Sequence, residues 1–168
     1  MNILEIDNFL APEICEEVIA DMEREVKSGE NIKEHNGNQL FDLDRNHHNF
    51  ISHTNDHNIS IYPIIFTKLI TTIVNKFDDR LIMNHFEICK WPTGNKQDRH
   101  TDFDYHLATS VLYLNDNYEG GETFVLNKKI KPKQGKLIVF NGGALQHGVR
   151  EITKGVRYTI PAWYKGVA

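Results

Sequence analysis

His100-Thr101-Asp102 sets an imidazole and a carboxylate two residues apart. In an extended segment, side chains at that spacing point to the same side, so the pair offers two ligand atoms to one metal ion. A third ligand would complete a face, and His147, just after the turn Asn141-Gly142-Gly143, is the candidate. Two imidazoles and one carboxylate leave coordination positions open, which is the donor set of non-haem iron(II) oxygen chemistry, whereas a four-ligand zinc site is closed. Asp104 shares parity with His100 and Asp102 and is a rival ligand. Because the chain has nine histidines, an HxD spacing alone is weak, and the assignment depends on its surroundings.

Arg157 follows His147 in a strand-like stretch where Arg157, Thr159, Pro161 and Trp163 share one face by period-two alternation. A buried guanidinium needs an anion, and its planar fork suits a carboxylate. Metal ligands and an anion receptor are thus expected near each other.

The elements that must position these groups change character along the chain. After a short strand at Ile3 to Ile6, Pro12 suits the first turn of a helix in which Ile14, Val18, Ile19, Met22 and Val26 recur at helical spacing, with Gly29 as its stop. A second helix is expected after Ser60 as cap, with Pro63 in its first turn and Ile64, Ile65, Leu69, Ile73 and Val74 as its apolar face. Between them, residues 28 to 58 are rich in Asn and His (His35, His47, His48, His53, His57), with Leu40, Phe41, Leu43, Phe50 and Ile51 as apolar anchors. These histidines lack ligand spacing, so the segment is expected to hold one or two short strands within loops that cover or contact substrate. From Leu81 onward, strand-like runs alternate with turn signals and no helix intervenes, which predicts a two-sheet jelly roll. Residues 1 to 168 are expected to form one domain, with 1 to 80 as helical support and loops and 81 to 168 as the β core. The apolar helices need a sheet face to cover.

Residues 86 to 164 resemble the prolyl 4-hydroxylase-like branch of the 2-oxoglutarate/iron(II) oxygenase family. The resemblance is carried by Trp91-Pro92-Thr93-Gly94 leading to His100-Thr101-Asp102, by Tyr113-Leu114-Asn115 followed by Gly120-Gly121-Glu122-Thr123, by Pro132-Lys133-Gln134-Gly135 followed by Leu137 to Phe140, and by His147, Arg157 and Trp163 at the matching later positions. It implies a mainly β fold, the double-stranded β-helix (cupin-like jelly roll), with N-terminal helices on the major sheet. It implies Fe(II) held by His100, Asp102 and His147, with 2-oxoglutarate and O2 as co-substrates and ascorbate as a supporting reductant. By the same carry-over Arg157 and Tyr113 bind the distal carboxylate of 2-oxoglutarate, Trp163 walls the pocket, and Trp91 lies at the co-substrate. Two positions depart from the family, which usually has Tyr where Trp91 stands and a second aromatic where Gln97 stands. The implied reaction is hydroxylation of an unactivated C–H bond in a protein or peptide, with proline as the first candidate. The alternatives are an oxygenase of a nucleobase or small metabolite, and a metal-binding β-helix domain without turnover.

Bulk properties narrow the partners. A formal net charge of −4 without a Lys/Arg run argues against duplex nucleic acid. The apolar stretch Ile59 to Val74 is interrupted by Lys68 and falls short of a membrane span, and the N-terminus lacks a signal-peptide pattern. Cys15 and Cys89 sit in apolar contexts and are expected to be core thiols, in keeping with a reducing cytoplasm.

Overall fold

The computed structural model describes residues 2–44 and 61–167. Ser60, Phe50, Ile51, His47, His48, His53 and His57, to which the sequence assigned roles above, lie outside them. Pro12 opens helix α1 (Pro12–Ser28), where its missing N–H costs nothing, and Gly29 closes it at φ 75° with its N–H on the Glu25 carbonyl. Cys15, Val18 and Met22 form the buried side of α1. Helix α2 (Ile61–Lys76) buries Ile61, Ile65, Leu69 and Ile73, one residue per turn, together with Tyr62. Ile64, expected on that face, is instead 56% exposed because the i, i+4 row starting at Ile61 is the one turned inward. The Tyr62 hydroxyl ties the two helices by donating to Asp21 Oδ2 at 2.6 Å.

The strands are β1 (Ile3–Ile6), β2 (Lys33–His35), β3 (Asn38–Asp42), β4 (Leu81–Trp91), β5 (Gln97–His100), β6 (His106–Tyr113), β7 (Glu119–Gly120), β8 (Thr123–Val125), β9 (Lys128–Ile130), β10 (Leu137–Phe140), β11 (His147–Val149), β12 (Ile152–Lys154) and β13 (Arg157–Gly166). The major sheet runs β1-β10-β6-β13-β4-β3-β2 and the minor sheet β5-β11-β8-β9, with β12-β7 as a small third pair. Every pairing is antiparallel. The mainly β jelly roll with N-terminal helices expected from the sequence is therefore formed, and the 28–58 segment supplies β2 and β3.

Period-two alternation divides the major sheet into two chemically different faces. Phe86 and Ile88 of β4, Ala108 and Leu112 of β6, Leu137 and Val139 of β10, and Ile160, Ala162 and Tyr164 of β13 pack with the helices into the main core. Truncating a fully buried member such as Leu69 to Ala would cost about 2–5 kcal/mol. The opposite parity, including Glu87, Cys89, Trp91, Thr109, Val111, Arg157, Thr159, Pro161 and Trp163, lines a cavity of about 370 Å³ shared with His100, His147 and Val149 of the minor sheet. A one-residue slip in β13 would send Arg157 into the apolar core, so register and site are fixed together.

Candidate metal centre

His100 and His147 face each other directly across the β5–β11 pair, with ring centroids 4.4 Å apart. Each ring is aimed by its own backbone: His100 Nδ1 lies 2.9 Å from the Asp98 carbonyl and His147 Nδ1 lies 2.8 Å from that of Leu145. These contacts assign the proton to Nδ1 and turn the lone pair of each Nε2 inward. Asp102 sits past the end of β5, where its N–H donates to the Gly142 carbonyl. Its Oδ1 lies 3.5 Å from His100 Nε2 and 3.3 Å from His147 Nε2, while Thr109 Oγ1 donates to Oδ2 at 2.6 Å.

Ligand bonds of about 2.0–2.2 Å at right to tetrahedral angles place neighbouring donor atoms about 3.0–3.5 Å apart, so the three side chains fit one divalent ion. They form a cluster with metal-ligand spacing, and Asp104 is not part of it but is exposed beyond it. Burial would raise the Asp102 carboxyl, but hydrogen bonding from His100, His147 and Thr109 outweighs it and holds the group well below the usual carboxylate range. The Asp102 hydrogen bond raises His100 above its ordinary value against the opposing effect of burial. Gly142 closes the back of the site: a Cβ there would lie 2.3 Å from both Asp102 Oδ2 and Thr109 Oγ1.

Arg157 lies in the same cavity and is only 2% exposed. Its guanidinium is sandwiched, 4.9 Å from the Trp91 ring centroid and 5.5 Å from that of Tyr113. Its Nη2 donates to Thr123 Oγ1 at 3.0 Å, and the Tyr113 hydroxyl donates to the same oxygen at 2.6 Å. Among the described residues no carboxylate pairs with Arg157, and its Nε and the indole Nε1 of Trp91 are buried without a hydrogen-bond partner. A buried cation flanked by unsatisfied donors is an anion site, since each such group left unpaired costs free energy.

The site residues carried over from the family resemblance are at or next to this cavity, but not in equivalent ways. Trp91, Gln97 and Trp163 line it. Tyr113 is fully buried behind the lining and reaches the site through Thr123. Thr123 and Thr109 are the residues that sequence reasoning missed. Thr123 closes the quoted Gly-Gly-Glu-Thr stretch, and Thr109 shares strand parity with Tyr113, so both signals were present.

Residues 85–165 match the family model described as "2OG-Fe(II) oxygenase superfamily". A curated relative, prolyl 3-hydroxylase 2 of Homo sapiens, is 39% identical over 70 residues, which cover 37% of this chain and 10% of that protein. The chain thus spans about a tenth of the length of the curated relatives it matches. Among solved structures, the viral collagen prolyl hydroxylase of Paramecium Bursaria Chlorella virus-1, a 2OG complex, superposes with a TM-score of 0.74 at 22% identity, covering 100% of this chain and 97% of that one. A Pseudomonas putida prolyl-4-hydroxylase superposes with a TM-score of 0.76 at 20% identity, covering 99% and 93%. The family match falls on the strands that carry the His-Asp-His cluster and Arg157, so residues 85–165 are similar in sequence to the 2OG-Fe(II) oxygenase superfamily, and the chain shares its fold with these two prolyl hydroxylase structures.

Proposed function

We propose that this chain is an Fe(II)- and 2-oxoglutarate-dependent dioxygenase that hydroxylates a prolyl residue of a protein or peptide. The observation that carries the reading is the pairing, in one cavity, of an open three-ligand cluster with a buried guanidinium that has no carboxylate partner among the described residues. A linear dicarboxylate that chelates a metal at its keto-acid end needs such a cation at its other end.

In this reading His100, Asp102 and His147 hold the iron, and the backbone carbonyls on each Nδ1 keep the histidines in the ligating tautomer. Arg157 binds the distal carboxylate, with Thr123 offering its hydroxyl proton alongside while it accepts from Tyr113. Trp91 holds the guanidinium plane from one side. When bound, iron and 2-oxoglutarate supply the oxygen chemistry, in which the keto acid and O2 yield succinate and CO2 and the second oxygen atom enters the substrate C–H bond. Val111, Phe140 and Trp163 keep the cavity apolar around the reacting carbon.

The prolyl assignment draws on the relatives and on the loop that follows Asp102. Directly after Asp102, Phe103 and Tyr105 are 69% and 51% exposed and stack on each other with centroids 5.4 Å apart. Exposed aromatic faces beside a reaction site suit the flat, pre-ordered rings of a proline-containing chain. The test is mass spectrometry of a proline-containing peptide library after incubation with Fe(II), 2-oxoglutarate and O2. A gain of one oxygen on proline, absent with His100→Ala, supports the reading, and comparison with 3- and 4-hydroxyproline standards gives the position. Oxygen gained only on other residues, or on added nucleosides, would overturn the prolyl assignment.

A further inference from the structure

A second imidazole-carboxylate pair lies outside the site described above. His85-Phe86-Glu87 repeats the HxD spacing with Glu in place of Asp, and on β4 it points both side chains to the cavity face of the major sheet. Asp42 of β3 is the register partner of Glu87 and brings a second carboxylate to the same row. His85 Nε2 lies 3.3 Å from Asp42 Oδ1 and 3.1 Å from Glu87 Oε1. These separations match those of the inner triad and the spacing expected of donors sharing one ion. The other ring nitrogen, Nδ1, lies 2.6 Å from Asp44 Oδ1, a close ionic contact behind the imidazole without in-line hydrogen-bond geometry. The donors are withdrawn from solvent: the side chains of Asp42, Glu87 and His85 are 4%, 8% and 20% exposed. Lys33 contacts the other oxygen of Asp42.

We propose that Asp42, His85 and Glu87 form a second divalent-cation site, of the Zn2+ type, that clamps β3 to β4 at the edge of the cavity. The ion has a consequence for the first site. Glu87 lines the cavity itself, and His85 is the register partner of Trp163 and stacks flat on it, with ring centroids 5.6 Å apart and planes 13° apart. Fixing His85 therefore fixes the indole that walls the substrate side.

The experiment is equilibrium dialysis of the metal-stripped full chain against micromolar Zn2+, with the bound metal counted by mass spectrometry. Wild type should take up about two equivalents, and the double variant His100→Ala/His147→Ala about one. His85→Gln and the near-isosteric Glu87→Gln should each also lose one equivalent while keeping a native circular dichroism spectrum. In the double variant, Co2+ should quench tryptophan emission through the His85–Trp163 stack, and adding Glu87→Gln should abolish that quenching. No metal retained by the His100→Ala/His147→Ala variant, or a second equivalent that persists in both His85→Gln and Glu87→Gln, overturns the outer site. Failure of the inner triad is read separately, as no loss of metal in the His100→Ala/His147→Ala variant.

Discussion

Arg157 and Trp91 are register partners across β13 and β4, and the guanidinium lies 4.9 Å over the indole centroid. The indole thus covers one face of a cation that has no carboxylate of its own among the described residues. This arrangement makes the ligand-free protein electrostatically incomplete at one defined point.

Replacing Arg157 by Met keeps the volume and removes the uncompensated charge. Since removing an uncompensated buried charge also removes its desolvation penalty, the metal-loaded variant should melt no lower than wild type. It should also lose the rise in Tm that added 2-oxoglutarate gives wild type. Thermal unfolding with and without the keto acid checks both halves. A preserved 2-oxoglutarate shift would show that the carboxylate binds elsewhere.

Thr109→Val and Gly142→Ala both act on Asp102 without touching a ligand atom. The first removes the hydrogen bond to Oδ2, and the second places a methyl group 2.3 Å from that oxygen. Loss of such a supporting contact typically lowers metal affinity about 10–100-fold. Fe(II) or Zn2+ competition against a chromophoric chelator should show this drop, with the β-sheet circular dichroism unchanged.

Phe103→Ser and Tyr105→Ser remove the exposed aromatic stack that follows Asp102. Both should raise KM for a hydroxylated peptide by about 10-fold or more, as hot-spot aromatics do, and leave KM for 2-oxoglutarate within twofold. An equal rise for both substrates would assign the pair to the fold instead of to substrate capture.

His85 sets a pH dependence of stability in the chelator-treated protein. It faces Asp42, Asp44 and Glu87 and lies near His106 and Trp163, and its folded value is raised to about 9. A raised value means that the protonated form favours folding, so this contribution is full below about pH 6.5 and fades as pH rises through about 9. After allowance for screening at a partly exposed group, the stability gap between wild type and His85→Gln should shrink by on the order of 2 kcal/mol between pH 6 and 10. Urea unfolding at a series of pH values reads it, and a constant gap would mean that His85 folds uncharged.

The triad was legible because strand parity and a quoted motif order converged on it. His100 and Asp102 had to share a side, and His147 had to come from a partner strand, which β11 proved to be. Arg157, Thr159, Pro161 and Trp163 were correctly grouped on one face for the same period-two reason. Tyr113 was only half legible: parity gave its side of the sheet, but the short reach of a phenol behind a packed wall puts Thr123 between it and the cavity. The face of α2 was misjudged at Ile64, because an almost wholly apolar helix gives periodicity little contrast. The Asp42–His85–Glu87 group escaped notice because its third member comes from a strand whose pairing is non-local, so no sequence spacing connects it to the other two.

The central claim, that the triad and Arg157 act as one co-substrate site, is tested most directly by succinate release from 2-oxoglutarate. Wild type supplied with Fe(II), O2 and a proline-containing peptide should form succinate, and His100→Ala and Arg157→Met should each lose at least about 30-fold of that rate, as expected when a group holding a buried charge is removed. Equal succinate release by wild type and both variants, or none from metal-loaded wild type with any peptide, would contradict the account.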